Sequence, residues 1–237
     1  MAKFIVVMSG KGGVGKTTSA VNLGLAMTNL GAGVIVMDGN LSSPNLSVHL
    51  GKLYFPVTIH DVMLDKNRIE DAIYEHQTGL KIIPADISID SMRTINFNNL
   101  NKHVQDLHLL TDYVIIDGSP GLGRESTNLI NMADEVLVVM NPDQASLIDA
   151  KRLIDFVKKF GKTITGLVVT KNEEKQYKLR IEEIENFLGL PVLAAIPLDK
   201  NFEKSLHQRM PYIYLYPKSK ASRLYNELAQ RITGIVR

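Results

Sequence analysis

The chain has 237 residues, of which 45% are hydrophobic and 22% are charged, and its formal net charge is +2. These values are typical of a soluble globular protein and exclude a disordered chain. The absence of cysteine excludes disulfides, thiolate metal sites and cysteine nucleophiles. No apolar run is long enough to span a membrane. The short apolar start runs straight into a glycine-rich stretch, so we expect a cytoplasmic protein without a signal peptide.

Short apolar segments alternate with helical patterns along the chain. The predicted strands are residues 4–8, 33–38, 80–85, 112–117, 135–141, 164–170 and 191–197. The predicted helices are residues 16–30, 58–76, 97–109, 124–133, 145–160, 174–188 and 219–233. Apolar strands that alternate with helices indicate a mostly parallel sheet with helices on both faces, a three-layer α/β fold. Residues 1–237 show no repeat or linker, and we predict a single domain.

The segment after the first strand has the pattern of a phosphate-binding loop. Residues 10–17 fit G-x-x-x-x-G-K-[ST] between a predicted strand and a predicted helix, the context that this motif requires. Glycines let the backbone curl with its N–H groups around an anion at the helix N-terminus. The loop residues expected to hold the phosphates are Gly10, Gly12, Gly13, Val14 and Gly15. Lys16 is predicted to reach the β- and γ-phosphates, Thr17 to bind Mg²⁺ and Thr18 to contact the α-phosphate.

Two aspartates end predicted strands and complete the candidate site. Asp117 ends "DYVIID" and Asp38 ends "GVIVMD". Ligands bind beyond the carboxyl ends of parallel strands, where an acid such as Asp117 can hold Mg²⁺ through a water molecule. A strand-end aspartate that only caps a turn is the structural alternative for each.

The phosphate loop already has Lys16 for the phosphates that it binds, so it does not need Lys11 for them. It is either a solvated surface lysine or a cation that reaches the phosphates of a neighbouring molecule. The run "KGGVGKTT" resembles the deviant Walker A motif of the MinD/ParA group of P-loop ATPases, in which this first lysine crosses a dimer interface. Further similarity, closest to archaeal MinD-like proteins, lies at residues 38–51, 58–74, 138–143 and 194–199.

The resemblance implies a P-loop NTPase fold that binds ATP and Mg²⁺, forms a homodimer with ATP, and hydrolyses ATP to ADP and phosphate. It implies a protein partner that stimulates turnover. The residues implied in catalysis are Lys11, Lys16, Asp38 and Asn40. The residues implied near the adenine are Thr170, Pro197 and Asp199.

Three positions depart from the family pattern. Asn40 stands where these proteins usually have Asp, and an asparagine cannot take a proton, so we expect slow hydrolysis. Such an asparagine is typical of a slow natural ATPase and also of a variant made to trap ATP, and the sequence leaves both open. Pro120 is shifted by one position in "DGSPGLG", and Thr170 replaces an asparagine that usually contacts adenine.

Three functions fit these features: a MinD-like spatial or cell-division regulator, a ParA-like DNA-partitioning ATPase, and a cytosolic P-loop ATPase chaperone without a membrane role. Residues 200–237 contain eight Lys or Arg and two Glu. The apolar stripe of residues 222–237 predicts a last core helix, with weak peripheral membrane association as an alternative. The candidate DNA contacts are Lys218, Lys220 and Arg223.

Two remaining patterns carry less functional information. The aromatic run "YIYLYP" at 212–217 alternates with aliphatic residues and predicts a half-buried strand or extended loop. The six histidines have no spacing typical of metal ligands, and we expect His49 and His60 to be surface or boundary residues.

Overall fold

The computed structural model describes residues 1–88, 100–173, 175 and 177–235. Eight strands form one sheet in the order β3-β4-β2-β5-β1-β6-β7-β8. They are β1 Lys3–Ser9, β2 Val34–Asp38, β3 Tyr74–Glu75, β4 Lys81–Ile83, β5 Tyr113–Pro120, β6 Glu135–Met140, β7 Thr163–Asn172 and β8 Val192–Pro197. β3 is antiparallel to β4, and the other neighbouring pairs of these strands are parallel. This confirms the predicted mostly parallel sheet.

Helices and turns connect the strands. The α-helices are α1 Lys16–Asn29, α2 Leu46–Leu50, α3 Ile59–Met63, α4 Leu100–Val104, α5 Arg124–Met132, α6 Gln144–Lys159, α7 Ile181–Leu188, α8 Asn201–His207, α9 Tyr212–Leu215 and α10 Lys220–Thr233. Single 3₁₀ turns lie at Ile69–Ala72 and Gln105–Leu109.

Alternation along the central strand shows why the sheet has two buried faces. Ile5 and Val7 belong to one apolar cluster, together with residues of α1 and α10. Phe4, Val6 and Met8 belong to the other, together with residues of α5 and α6. Successive side chains of a strand point to opposite faces, so an unbroken apolar strand requires a helical layer on each side. The three-layer prediction is confirmed.

The single helix predicted at 58–76 is wrong. The structure has α3, a 3₁₀ turn and β3 in this range. Asp61 accepts hydrogen bonds from the Thr58 backbone and hydroxyl and so fixes the start of α3, while Asp65, with φ of 56°, follows its end. Left-handed backbone cannot continue a helix, and Tyr74 then pairs with Ile82 of β4.

Three further segments differ from prediction. Residues 212–215 form α9 rather than an extended run, because Tyr212 is buried and stacks on Phe202 at 3.9 Å between ring centroids. The helix predicted at 97–109 is α4 followed by a 3₁₀ turn. The helix predicted at 174–188 begins only at Ile181. Residues 97–99, 174 and 176 of these predictions lie outside the described residues.

The C-terminal helix α10 is a core helix. Tyr225 and Leu228 are buried in the same cluster as α1, and the Tyr225 hydroxyl lies 3.2 Å from Ser19 Oγ on that helix. Its apolar stripe therefore packs against the domain, as the sequence predicts. In the part of the chain that the structure describes, no helix is long and apolar enough to cross a membrane.

Candidate nucleotide site

The candidate site lies where three neighbouring strands end. β1 and β2 both pair with β5, and the register places Asp38 opposite Asp117. The loop of residues 10–15 follows β1 at this edge and leads into α1. The parallel sheet thus brings the loop and both predicted aspartates to one place, although more than a hundred residues of sequence separate the loop from Asp117.

Glycine is required in the loop for two different reasons. Gly15 has φ of 95° and directly precedes α1, a conformation that L side chains rarely adopt. At Gly10 an added Cβ would lie 2.4 Å from the backbone oxygen of Asp149 on α6. Within the described residues, no side chain caps the start of α1. Its first N–H groups are therefore available to an anion.

Lys16 supplies the positive charge of this end of the cavity. The side chain is buried, with the residue 8% exposed. Burial lowers the pKa of Lys16, and the neighbouring Asp117 and Asp38 carboxylates oppose that shift. Burial thus disfavours the charged form of Lys16, while two neighbouring acids favour it, at the residue predicted to contact the β- and γ-phosphates.

Thr17 and Asp117 form a pair suited to Mg²⁺. The Thr17 hydroxyl donates to Asp117 Oδ2 at 2.5 Å. Among the described residues, the buried Asp117 Oδ1 has no hydrogen-bond partner. Burial raises the pKa of Asp117 to about 6, although the positive charge of Lys16 opposes that shift. Hydroxyl and carboxylate oxygens are ligands that Mg²⁺ accepts, so the two side chains fit the predicted metal position.

Asp38 shapes the segment that follows β2. Its carboxylate accepts hydrogen bonds from the backbone N–H groups of Asn40, Asn45 and Leu46 at 3.0–3.1 Å. Burial, with the nearby Asp117 charge, raises the pKa of Asp38 to about 8. The carboxylate thus holds residues 40–46 and the start of α2 in place. A direct part for Asp38 in catalysis stays a prediction.

Asn40 lines the cavity together with Ser43 and Asn45. Its side-chain amide donates to the Ser43 backbone oxygen at 2.5 Å, and the Asn45 amide donates to the same oxygen at 2.8 Å. The side-chain oxygen of Asn40 can accept a hydrogen bond from water, but it cannot remove a proton.

Glu125 is a residue that the sequence interpretation missed. It lies at the start of α5 and accepts from the Ser42 backbone N–H at 3.0 Å. Burial raises the pKa of Glu125, although the hydrogen bonds from Ser42 oppose that shift. The carboxylate joins the segment after β2 to the helix after β5, and no local pattern in the sequence predicts this pair.

The whole cavity has a volume of about 580 Å³, within the range of ligand pockets, and it extends from the loop to the residues after β8. Pro197, Leu198 and Phe202 contribute to its wall. Asp199 lines it as well, but its carboxylate already accepts from the Tyr212 hydroxyl at 2.6 Å and the Asn201 N–H at 2.8 Å.

Two residues at the end of β7 support the loop itself. The Thr170 hydroxyl, which the sequence predicted to contact adenine, donates a hydrogen bond to the Val14 backbone oxygen at 2.5 Å. Lys171 has φ of 51°, and its Nζ donates to the Gly13 oxygen at 2.9 Å. Sequence reasoning missed Lys171, since only the fold brings it to the loop.

Lys11 does not share the cavity with Lys16. The described residues that line the cavity include Gly12, Gly13, Val14, Gly15, Lys16, Thr17 and Thr18, but not Gly10 or Lys11. Lys11 Nζ instead lies 3.3 Å from Asp143 Oδ1, and each of these side chains is 36% exposed. Asp143 also caps α6 by accepting from Ser146 N–H.

The expectation that His49 and His60 are surface or boundary residues is confirmed for His49, which is half-buried, and wrong for His60, which is buried. His60 is 4% exposed, and its Nδ1 accepts from the Asp86 N–H at 3.1 Å. His49 lines the cavity, with Nε2 at 3.4 Å from the Thr18 hydroxyl. Residue 86, which donates to His60, is distant in sequence, so histidine spacing alone does not reveal this burial.

Comparison with known proteins identifies the family. A family model described as "ParA: NUBPL iron-transfer P-loop NTPase" matches residues 1–233. The chain belongs to the ParA family of P-loop NTPases. A protein of Methanocaldococcus jannaschii described as an uncharacterized ATP-binding protein is 35% identical over 99% of this chain and 89% of its own length.

Two solved structures of the ParA fold superpose closely. The cell division ATPase MinD of Pyrococcus furiosus has a TM-score of 0.94 and 30% identity and covers 100% of both chains. The septum site-determining protein MinD of Pyrococcus horikoshii, complexed with Mg-ADP, has a TM-score of 0.92 and 29% identity over 98% of this chain and 96% of its own. The predicted resemblance and the P-loop NTPase fold are confirmed.

Proposed function

We propose that this ParA-family chain is a MinD-like ATPase that binds Mg-ATP in the cavity, dimerises in the ATP state and acts as a spatial-positioning or cell-division switch. The position of Lys11 carries the proposal. It flanks the loop yet lies outside the cavity, in an ion pair with Asp143. A cation so placed can meet the phosphates of a second molecule facing the first. Similarity to the P. furiosus cell division ATPase supports the same role.

Hydrolysis proceeds by in-line attack of water on the γ-phosphate, which breaks its bond to the β-phosphate and releases ADP. Lys16 and the loop N–H groups stabilise the charge on the phosphates, and Lys11 of the partner molecule adds to it. Asn40 accepts a hydrogen bond from the attacking water without taking its proton. Turnover is therefore slow.

The Thr17 hydroxyl and the Asp117 carboxylate would hold Mg²⁺. When bound, the ion neutralises phosphate charge. The unpartnered Asp117 Oδ1 beside the Thr17 hydroxyl supports this assignment.

The test is molecular mass in solution by light scattering, first with Mg-ATP and then with Mg-ADP. We expect the mass to double with ATP only, and Lys11→Ala to stay a monomer in both nucleotides. Lys3→Ala is the matched control, because Lys3 lies at the opposite end of β1 from the loop that holds Lys11, has a side chain that is 38% exposed and also makes one ion pair, with Glu135. A wild-type monomer at saturating Mg-ATP would end the dimer mechanism.

One observation favours the ParA-like, DNA-partitioning alternative. Lys218, Lys220 and Arg223 are exposed at the start of α10. Binding of duplex DNA by the ATP-bound protein, with an affinity that falls steeply as salt rises, would favour this alternative. No binding at low salt would exclude it.

The partner and the cellular location extend the proposal. We infer that a protein partner stimulates turnover and that the protein works in the cytoplasm, with weak peripheral membrane contact. ATPase assays with anionic vesicles test the membrane contact. A chaperone without membrane role is the remaining candidate. Transfer of iron through cysteine ligands does not suit this chain, which has none.

A further inference from the structure

His49 presents one ring nitrogen to the nucleotide cavity. It lies on α2 and lines the cavity next to Thr18. Its Nε2 lies 3.4 Å from the Thr18 hydroxyl, and its Nδ1 lies 3.0 Å from the backbone oxygen of Asn45.

The second of these contacts fixes the tautomer. A carbonyl oxygen only accepts hydrogen bonds, so Nδ1 of His49 carries the hydrogen. Burial lowers the pKa of His49, although the bond to Asn45 opposes that shift. In the neutral ring Nε2 is then an acceptor. Its donor is the single hydrogen of the Thr18 hydroxyl.

Binding of a nucleotide removes the Thr18 hydroxyl as the donor to His49 Nε2. Thr18 is predicted to contact the α-phosphate, which offers only acceptor oxygens, so its one hydrogen turns to the phosphate. Nε2 of His49, which is half-buried, is left without the donor that it had, and it needs another donor to keep its hydrogen bond. A phosphate cannot provide that donor. The next part of the ligand along the chain of atoms is the ribose, whose hydroxyls can.

We propose that Nε2 of His49 accepts a hydrogen bond from a ribose hydroxyl of the bound nucleotide and makes the site selective for ribonucleotides over deoxyribonucleotides. The inference rests on the proposed function, with Thr18 at the α-phosphate.

The acceptor is held in place before ligand arrives. Asp38 accepts from the N–H groups of Asn45 and Leu46, which fixes the start of α2. The Asn45 oxygen then accepts from both the backbone N–H and Nδ1 of His49. A ring fixed at both its backbone N–H and its Nδ1 loses little freedom when its Nε2 binds a hydroxyl.

The experiment measures calorimetric binding of Mg-ADP, Mg-2′-deoxy-ADP and Mg-3′-deoxy-ADP, because diphosphates are not hydrolysed. The wild type should prefer ADP over one deoxy form by about 3- to 10-fold, the size of one neutral hydrogen bond. His49→Leu should bind all three nucleotides with one affinity. His49→Gln, whose side-chain oxygen can still accept at similar reach, should recover much of the preference.

His207→Leu is the control, since His207 is exposed on the neighbouring helix α8 and does not line the cavity. Equal binding of all three nucleotides by the wild type would overturn the inference without any variant. A His49→Leu variant that weakens all three equally and keeps the preference would overturn it too. A wild type that binds no Mg-ADP would overturn the proposed function, and this inference with it.

Discussion

Asn40 and Asn45 donate to the same backbone oxygen, that of Ser43, although Asn40 is buried and Asn45 is exposed. Both line the cavity, but Asn40 stands where related ATPases usually have an aspartate. The two asparagines therefore form a matched pair, in which the same substitution removes the same hydrogen bond.

We expect Asn40→Asp to raise ATP turnover by roughly tenfold or more, because a positioned carboxylate can accept a proton from the attacking water and general bases contribute large factors. Steady-state phosphate release measures the effect. Asn45→Asp loses the same donor to Ser43, and its turnover should stay within about twofold of the wild type. Equal turnover of Asn40→Asp and the wild type would show that Asn40 does not limit the rate.

At the scale of elements, His60 joins α3 to the segment after β4. Its Nδ1 accepts from the Asp86 N–H. Burial, the largest influence, lowers the pKa of His60, and the Asp86 carboxylate opposes that shift. Because the folded-state pKa lies below the unfolded value, the contribution to stability is present above pH 6.5 and is lost as the pH falls through the folded-state pKa.

We expect the stability difference between the wild type and His60→Asn to shrink below pH 6.5, by up to about 1.4 kcal/mol for each pH unit. Asparagine can still accept from Asp86 but does not titrate. Urea unfolding at several pH values measures this difference, in which other titrating groups largely cancel. A stability difference between the wild type and His60→Asn that does not change with pH would contradict the prediction.

The helix α10 offers a direct test of whether its apolar stripe serves the core. Leu228 is fully buried, so Leu228→Ala should reduce the free energy of unfolding by roughly 2–5 kcal/mol. Its exposed neighbour Glu227 should tolerate Ala within about 0.5 kcal/mol. Urea denaturation measures both variants, and a Leu228→Ala protein as stable as the wild type would mean that the stripe is not needed for folding.

At the scale of the whole molecule, the Lys11–Asp143 pair opposes the proposed dimer, because Lys11 must leave Asp143 to reach a second molecule. Asp143→Asn should keep the cap on α6, since asparagine is an effective N-cap, while it weakens the hold on Lys11. A half-exposed ion pair stabilises by about 1 kcal/mol at most. Because each dimer breaks two such pairs, we expect the Mg-ATP dimer to form at up to about thirtyfold lower protein concentration.

Sedimentation across a concentration series with Mg-ATP measures this shift. Asp155→Asn is the control, because it breaks the Lys151–Asp155 pair on the same helix with the same change of charge. A dimer that forms no more readily in Asp143→Asn than in this control would show that the ion pair does not restrain Lys11.

The sequence by itself determined the features that are encoded locally. The loop motif at 10–17 needs particular residue types at adjacent positions, because backbone curvature and a helix start must coincide. The apolar strand at 4–8 predicted a sheet buried on both faces, since every side chain of that strand must leave water. The general rule that ligands bind beyond the carboxyl ends of parallel strands then placed Asp38 and Asp117 at the candidate site. The structure shows that their strands pair with each other and that β5 also pairs with β1.

Only the tertiary structure decided which distant side chains face the site. Ser42 meets Glu125, Lys11 meets Asp143, and the Thr170 hydroxyl bonds to Val14 of the loop. These partners lie on different strands and helices. Periodicity along a chain records whether a position is buried, whereas the packing of layers sets what that position touches. The two-residue strand β3 was missed for a related reason: it is too short to show alternation, and its partner β4 specifies it.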